Sequence, residues 1–138
     1  MNYSKLSDFE INCLVAKATG HKPLDAEVGY QGTQETGNIT AAIVRGPRWI
    51  GGFDPCNSPA NAWPIIVGKK LSLINADDKW LCVPEDEPVN GVTGDAVHMI
   101  YSGDGVEHEN PLRAAMIVFL LMQEPAYVQA NPARPDIR

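Results

Sequence analysis

Cysteine is sparse and unpatterned in this chain. Cys13, Cys56 and Cys82 stand far apart with no CxxC or CxH spacing, so neither a zinc site nor a disulfide framework has its usual signature. Three reduced, at least partly buried thiols are expected. The histidines, His21, His98 and His108, are equally scattered and form no metal-ligand pattern with them. No GxSxG elbow, HExxH helix or Walker loop occurs, so no catalytic centre is legible. We therefore expect no enzyme, no metal and no cofactor. The longest apolar run, Ala114 to Met122, falls short of the ~20 residues needed to span a bilayer. No basic segment leads into an apolar run at Met1–Asp8, so a secretory leader and a membrane location are not expected. Positive charge is scarce too. The chain carries 11 Lys and Arg against 17 Asp and Glu, a net charge of −6, with a pI near 4.9. That balance argues against general nucleic-acid binding, which needs a basic face, but leaves room for a local basic pocket.

What is present suits one globular domain. The 138 residues, 44% hydrophobic and 20% charged, are enough to bury a core without a metal or disulfide. We place a single α+β domain at residues 1–125 and a loosely ordered, proline-containing tail at 126–138.

Ser7 and Glu10 have capping-box spacing, with Leu6 and Ile11 placed as a hydrophobic staple. Ile11, Leu14, Val15 and Ala18 share a face and Gly20 stops the run, which predicts a helix over 8–18. Residues 19–38 read as a long loop with one short strand at Glu27–Tyr30. Ile39–Val44 reads as a strand broken by Arg45–Arg48, with Trp49-Ile50 able to resume it before Gly51-Gly52. A short helix is expected at 60–68. A start at Asn61 would put Pro64 in the first turn, where its missing N–H is harmless; Ser58-Pro59 offers an earlier start. Lys70–Ile74 and Lys79–Val83 form a hairpin around Asn75–Asp78. Pro84 to Asp95 is an acidic loop without regular structure, Ala96–Tyr101 a strand apolar on both faces, and Glu107-His108-Glu109 an exposed loop. Asn110 caps a last helix, with Pro111 in first position and Leu112 to Gln123 apolar nearly all round. The expected architecture is a small antiparallel or mixed sheet sandwiched by helices.

Three segments together carry a family resemblance: Met1–Asn12, Phe53–Asn57 running on to Trp63–Ile66, and Asn110–Leu120. As a set they resemble the NinX-like accessory proteins of tailed phages, related to a group described as phage α-β-α sandwich domains. The resemblance covers most of residues 1–125, least closely at 19–52 and 84–95. It implies a phage protein in the cytoplasm of a bacterial host, and it transfers no catalytic residue. By analogy of setting, such proteins act against host defences, some unrelated ones by sequestering nucleotide-derived signals.

Arg45-Gly46-Pro47-Arg48-Trp49 is the most suggestive short segment. Two guanidiniums beside an indole can grip a phosphate and stack on a ring; the alternative is a surface turn with solvated arginines. Trp49, Trp63 and Trp80 could form an aromatic wall. Core filling fits Trp63 and Trp80 better, which leaves Trp49 as the pocket candidate. Asp54, Asn57 and Asn61 suit either ligand contact or helix capping, and capping fits Asp54 better. Arg113, at a helix start, suits an anion site or pairing with Glu107 or Glu109. The candidate ligand-binding set is Arg45, Arg48, Trp49, Asp54, Asn57, Trp63 and Arg113. The expected function is sequestration of a nucleotide-derived host signal. The alternative is a protein-interaction module that inhibits a host enzyme through acidic stretches such as Glu85–Glu87 and Glu107–Glu109. The apolar last helix is compatible with a homo-oligomer or with a monomer core.

Overall fold

The computed structural model describes residues 2–32, 39–84, 89–90, 97–98 and 105–124, with only the backbone at 89–90 and 97–98. Helix α1 spans Asp8–Ala18 as its caps predict. Ser7 Oγ accepts from the Glu10 N–H and Glu10 Oε1 accepts from the Ser7 N–H, both at 3.1 Å. Gly20, at φ +81°, turns the chain out of the helix.

Three short antiparallel strands follow: β1 (Lys22–Pro23), β2 (Ala42–Arg45) and β3 (Ile50–Phe53), in that order across the sheet. The strand expected at Glu27–Tyr30 is instead β1 at Lys22–Pro23. Gly29, at φ +86°, bends the chain back so that only one bridge, Asp25 to Gly29, forms there. Arg45 belongs to β2 rather than to a break, and β3 runs through Gly51 and Gly52 instead of stopping at them. Their pairing with Val44 and Ile43 keeps Gly51 and Gly52 in the ladder, and a Cβ at either would meet only ordinary van der Waals contact.

Helix α2 spans Pro59–Gly68, with Ser58 as its cap and Pro59 in first position. The start is therefore the earlier of the two expected, and Pro64 sits inside the helix. Its missing N–H leaves the Ala60 carbonyl without a helical partner. Both residues are exposed, so water can take that place. Strands β4 (Ser72–Ala76) and β5 (Lys79–Val83) form the expected hairpin, but β4 starts two residues later than Lys70 and takes in Asn75 and Ala76, so the turn is Asp77-Asp78 alone, with Asp77 at φ +59°. The acidic stretch after Pro84 contains a strand, β6 (Val89–Asn90), paired with β7 (Val97–His98). The rest of the strand expected over 96–101, its two faces, and the tail at 126–138 lie outside the described residues.

The supposed loop at Glu107–Glu109 largely belongs to strand β8 (Val106–His108), which pairs with β5. Gly105 permits the approach, since a Cβ there would fall 2.9 Å from Leu81 and 3.0 Å from Val83. His108 is half-buried rather than solvated, and its Nδ1 accepts from the Asn110 N–H at 2.9 Å. Helix α3 (Pro111–Gln123) begins at the Asn110 cap, and every residue from Arg113 to Leu120 is buried. It packs against α1, α2, β5 and β8 as the central rod of an α+β fold. Among the described residues the strands make two separate three-stranded antiparallel sheets, β1-β2-β3 and β4-β5-β8, and the two-stranded β6-β7 pair, rather than one sheet.

A polar junction ties these parts together. Asn12 on α1 is fully buried. Its Nδ2 donates to the Thr40 carbonyl at 2.7 Å and to Asp54 Oδ1 at 2.6 Å, and its Oδ1 accepts from the Cys56 N–H at 3.1 Å. Asp54 Oδ2 accepts from the Thr40 hydroxyl at 2.6 Å. Arg113, 8% exposed, pairs with Asp8 at 2.6 Å and donates to the Ser4 and Leu6 carbonyls at 3.2 and 2.7 Å. Neither Glu107 nor Glu109 is its partner. Asn12→Ala would take this partner from the Thr40 carbonyl and the Cys56 N–H, and would leave Asp54 Oδ1 with only its bond from Asn57. We expect it to cost about 3 kcal/mol of unfolding free energy by chemical denaturation. A cost within about 0.5 kcal/mol, as for an ordinary surface change, would mean that Asn12 does not hold the junction.

Candidate functional site

A cleft lies where the end of α1 meets the tip of the β2–β3 hairpin. One compartment, of about 480 Å³, is lined by Thr19, Gly20, His21 and Lys22 from the α1 exit and by Arg45, Gly46, Pro47 and Trp49 from the hairpin. A second, of about 430 Å³, shares Thr19, His21 and Trp49 and is otherwise lined mainly by Val44, Phe53, Pro64 and Ile65, with Asn61 from α2. On the outer side a smaller hollow of about 300 Å³ brings Arg48 together with Arg45, Trp49 and Leu24.

Local sequence builds the tip. The Gly46 N–H donates to the Trp49 carbonyl at 2.8 Å, closing the turn around Pro47-Arg48. The Trp49 indole lies across Gly46, where a Cβ would fall 2.1 Å from Nε1. Only glycine leaves room for that ring position. The indole remains 54% exposed.

Charge is arranged unusually. Lys22 and Arg45 are direct cross-strand partners, so two cations point to the same face, an arrangement that costs stability when nothing neutralises it. Among the described residues, no acid pairs with Lys22, Arg45 or Arg48. His21 stacks on Phe53 with ring centroids 4.2 Å apart, and its Nδ1 lies 2.7 Å from Thr19 Oγ1. The Thr19 hydroxyl can give its proton to the Val15 carbonyl at 2.8 Å. The imidazole then donates from Nδ1 and keeps Nε2 as an acceptor. Burial lowers the His21 pKa from its ordinary value.

The seven candidate residues fall in three places. Arg45, Arg48 and Trp49 meet at the cleft and its outer hollow. Asp54, Asn57 and Arg113 belong to the polar junction, with Asn57 Nδ2 donating to Asp54 Oδ1 and Asp8 Oδ2, both at 3.1 Å. Trp63 stands 61% exposed on α2 and Trp80 39% exposed on β5. Neither fills the core, which is occupied instead by the aliphatic face of α1 and by α3. Thr19, His21, Lys22, Phe53 and the cleft role of Asn61 carry no motif. Only the Gly20 stop, which aims the chain at the hairpin, hints at them.

Elsewhere, burial pushes the Cys13 thiol up to about 11 and Cys82 to about 12, with Cys56 higher still. Thiols held in this way stay protonated and unreactive near neutral pH. Among the described residues no group of three His, Cys, Asp or Glu is placed to hold a metal ion. Nor is any described helix long and apolar enough to cross a membrane.

A family model described as bacteriophage P22 NinX matches residues 2–123. No curated protein matches the chain.

Two outcomes follow from the geometry. Gly46→Ala should drive the indole off its seat, changing the near-ultraviolet circular dichroism, while stability moves by only about 0.5 kcal/mol because the ring is at the surface. An unchanged aromatic spectrum would contradict the packing of Trp49 on Gly46. The second concerns pH. With the native His21 pKa below the unfolded value of 6.5, the unfolded chain binds more protons between the two values. His21 therefore contributes stability that is lost as pH falls through that window and is fully present above it. Melting temperatures measured from about pH 7.5 to about pH 5 should show this acid loss in the wild type and less of it in His21→Gln. Identical acid sensitivity in both would show that His21 is not the titrating group.

Proposed function

The chain belongs to the bacteriophage P22 NinX family, and on that footing we propose that this phage accessory protein works without catalysis in the host cytoplasm. Its role is to bind and sequester a nucleotide-derived host signal in the Trp49 cleft. The observation that carries this reading is the opposed Lys22 and Arg45, unpaired among the described residues, beside an exposed indole, in a chain whose net charge is −6. Cations left facing each other in an acidic protein are stabilised by an anion that enters between them. A guanidinium and an ammonium suit a phosphate. The indole supplies a stacking surface worth ~1–3 kcal/mol per base, and the adjoining apolar compartment is large enough to hold a heterocycle.

A second reading, inhibition of a host enzyme through an acidic surface, draws on the exposed Glu107 and Glu109 beside the edge strand β8. The other acidic stretch, Glu85–Glu87, lies outside the described residues. Charge reversal at Glu107 and Glu109 should then release any co-purifying host protein, and unchanged retention would refute that reading.

The decisive experiment is native mass spectrometry after incubation with linear and cyclic nucleotides, including NAD-derived and ADP-ribose-derived species. We expect an intact nucleotide mass bound in fixed stoichiometry by the wild type. In Arg45→Ala its affinity should fall roughly ten-fold, as loss of one charge-assisted contact implies. A converted mass would instead indicate an enzyme. No adduct at micromolar ligand would exclude these nucleotides as the cargo.

A further inference from the structure

Asn61 stands out in the apolar compartment of the cleft. It sits in the first turn of α2, and its carboxamide is already half committed. Oδ1 accepts from the Asp54 N–H at 2.9 Å, and Asp54 is itself held by Asn12 and Thr40. That bond settles which end of the amide is oxygen and which is nitrogen. Nδ2 is left without a partner among the described residues, yet it is not buried out of reach of solvent. It belongs to a residue lining the same hollow as Trp49, Phe53, Pro64 and Ile65. With its oxygen engaged by the Asp54 N–H, the group that the amide leaves wholly uncommitted is the Nδ2 donor, which suits a hydrogen-bond acceptor on whatever enters.

We propose that Asn61 is the residue that determines specificity in this cleft. Its Nδ2 donates to a ring nitrogen or exocyclic carbonyl of a heterocycle stacked near Trp49, while the phosphate of the same ligand rests between Lys22 and Arg45. The proposal rests on the nucleotide reading given above and adds the means of selection. A carbocyclic aromatic phosphate satisfies the cations and the indole equally well but gives Nδ2 no acceptor. A site whose polar group is left unpaired rejects such a ligand.

The test is a titration by calorimetry of wild type, Asn61→Asp and Asn61→Ala with the four nucleoside 5′-monophosphates, ADP-ribose and 1-naphthyl phosphate. Asn61→Asp keeps an oxygen for the Asp54 N–H and replaces the donor with an acceptor. Its added negative charge acts on every anionic ligand alike and largely cancels in a ratio of affinities. We expect the wild type to prefer at least one nucleotide over 1-naphthyl phosphate by roughly ten-fold, the equivalent of one hydrogen bond. Both variants should bring that ratio close to one. Thermal melts run alongside separate the roles: a purely structural Asn61 would lower the melting temperature of Asn61→Ala without altering the ratio in either variant. A ratio unchanged in folded Asn61→Asp would overturn the assignment of Asn61 and leave the nucleotide reading standing. Failure of every nucleotide to bind the wild type would remove both.

Discussion

A single buried asparagine sets the terms for the rest of this molecule. Asn12 is fully enclosed, and three groups from two separate parts of the chain meet its carboxamide: the Thr40 carbonyl from one, and the Asp54 carboxylate and Cys56 N–H from the other. Each group would be costly to leave unpaired in the interior. Helix α1 can therefore dock only where all three are satisfied. Arg113 imposes a parallel condition from the other side, since its guanidinium must reach Asp8 and the carbonyls of Ser4 and Leu6. Hydrophobic burial along α3 supplies the driving force, but it is non-directional. The polar groups decide the orientation in which the apolar faces meet.

The cleft inherits that orientation. Helix α1 enters the junction at its first half and opens the cleft at its exit, where Thr19, His21 and Lys22 emerge. Helix α2 is tied through Asn61 to Asp54 and presents Pro64 and Ile65 to the same space. The junction thus fixes where the exit of α1 and the first turns of α2 enclose a cationic, aromatic hollow. The cleft itself carries features that do not favour folding: two opposed cations, an amide nitrogen without a partner among the described residues, and an exposed indole. Placing such groups together on a well-braced frame is how a protein keeps a binding surface ready at small cost to its stability.

Much of the fold was legible because the relevant physics is local. The Ser7–Glu10 capping box, the Asn110-Pro111 start and the turn at Asp77 act within a few residues, so α1 and α3 fall where the sequence places them and the β4–β5 hairpin falls within two residues of it. The very short strands were not legible. β1 and β8 exist only because β2 and β5 present open edges to them, and two or three residues carry no periodicity of their own. The same division runs through the candidate site. Arg45, Arg48 and Trp49 cluster along the chain and stay clustered in space. Asp54, Asn57 and Arg113 looked equally suited to a ligand but are engaged with Asp8, Asn12 and backbone carbonyls. Arg113 and Asp8 lie 105 positions apart, a separation at which nothing in the sequence singles out the pair.

By itself, then, the sequence determined what depends on neighbouring residues: the α+β class, the ends of the long helices, the acidic balance, the basic and aromatic turn at Arg45–Trp49, and the family. Tertiary structure alone decided which polar side chains were already occupied, that Trp63 and Trp80 face outward, and that Lys22 and His21 come up against Arg45 and Trp49. The reason is that hydrogen bonding saturates. Whether an asparagine or arginine is free to meet a ligand depends on every partner that the fold brings within reach, and those partners come from anywhere in the chain.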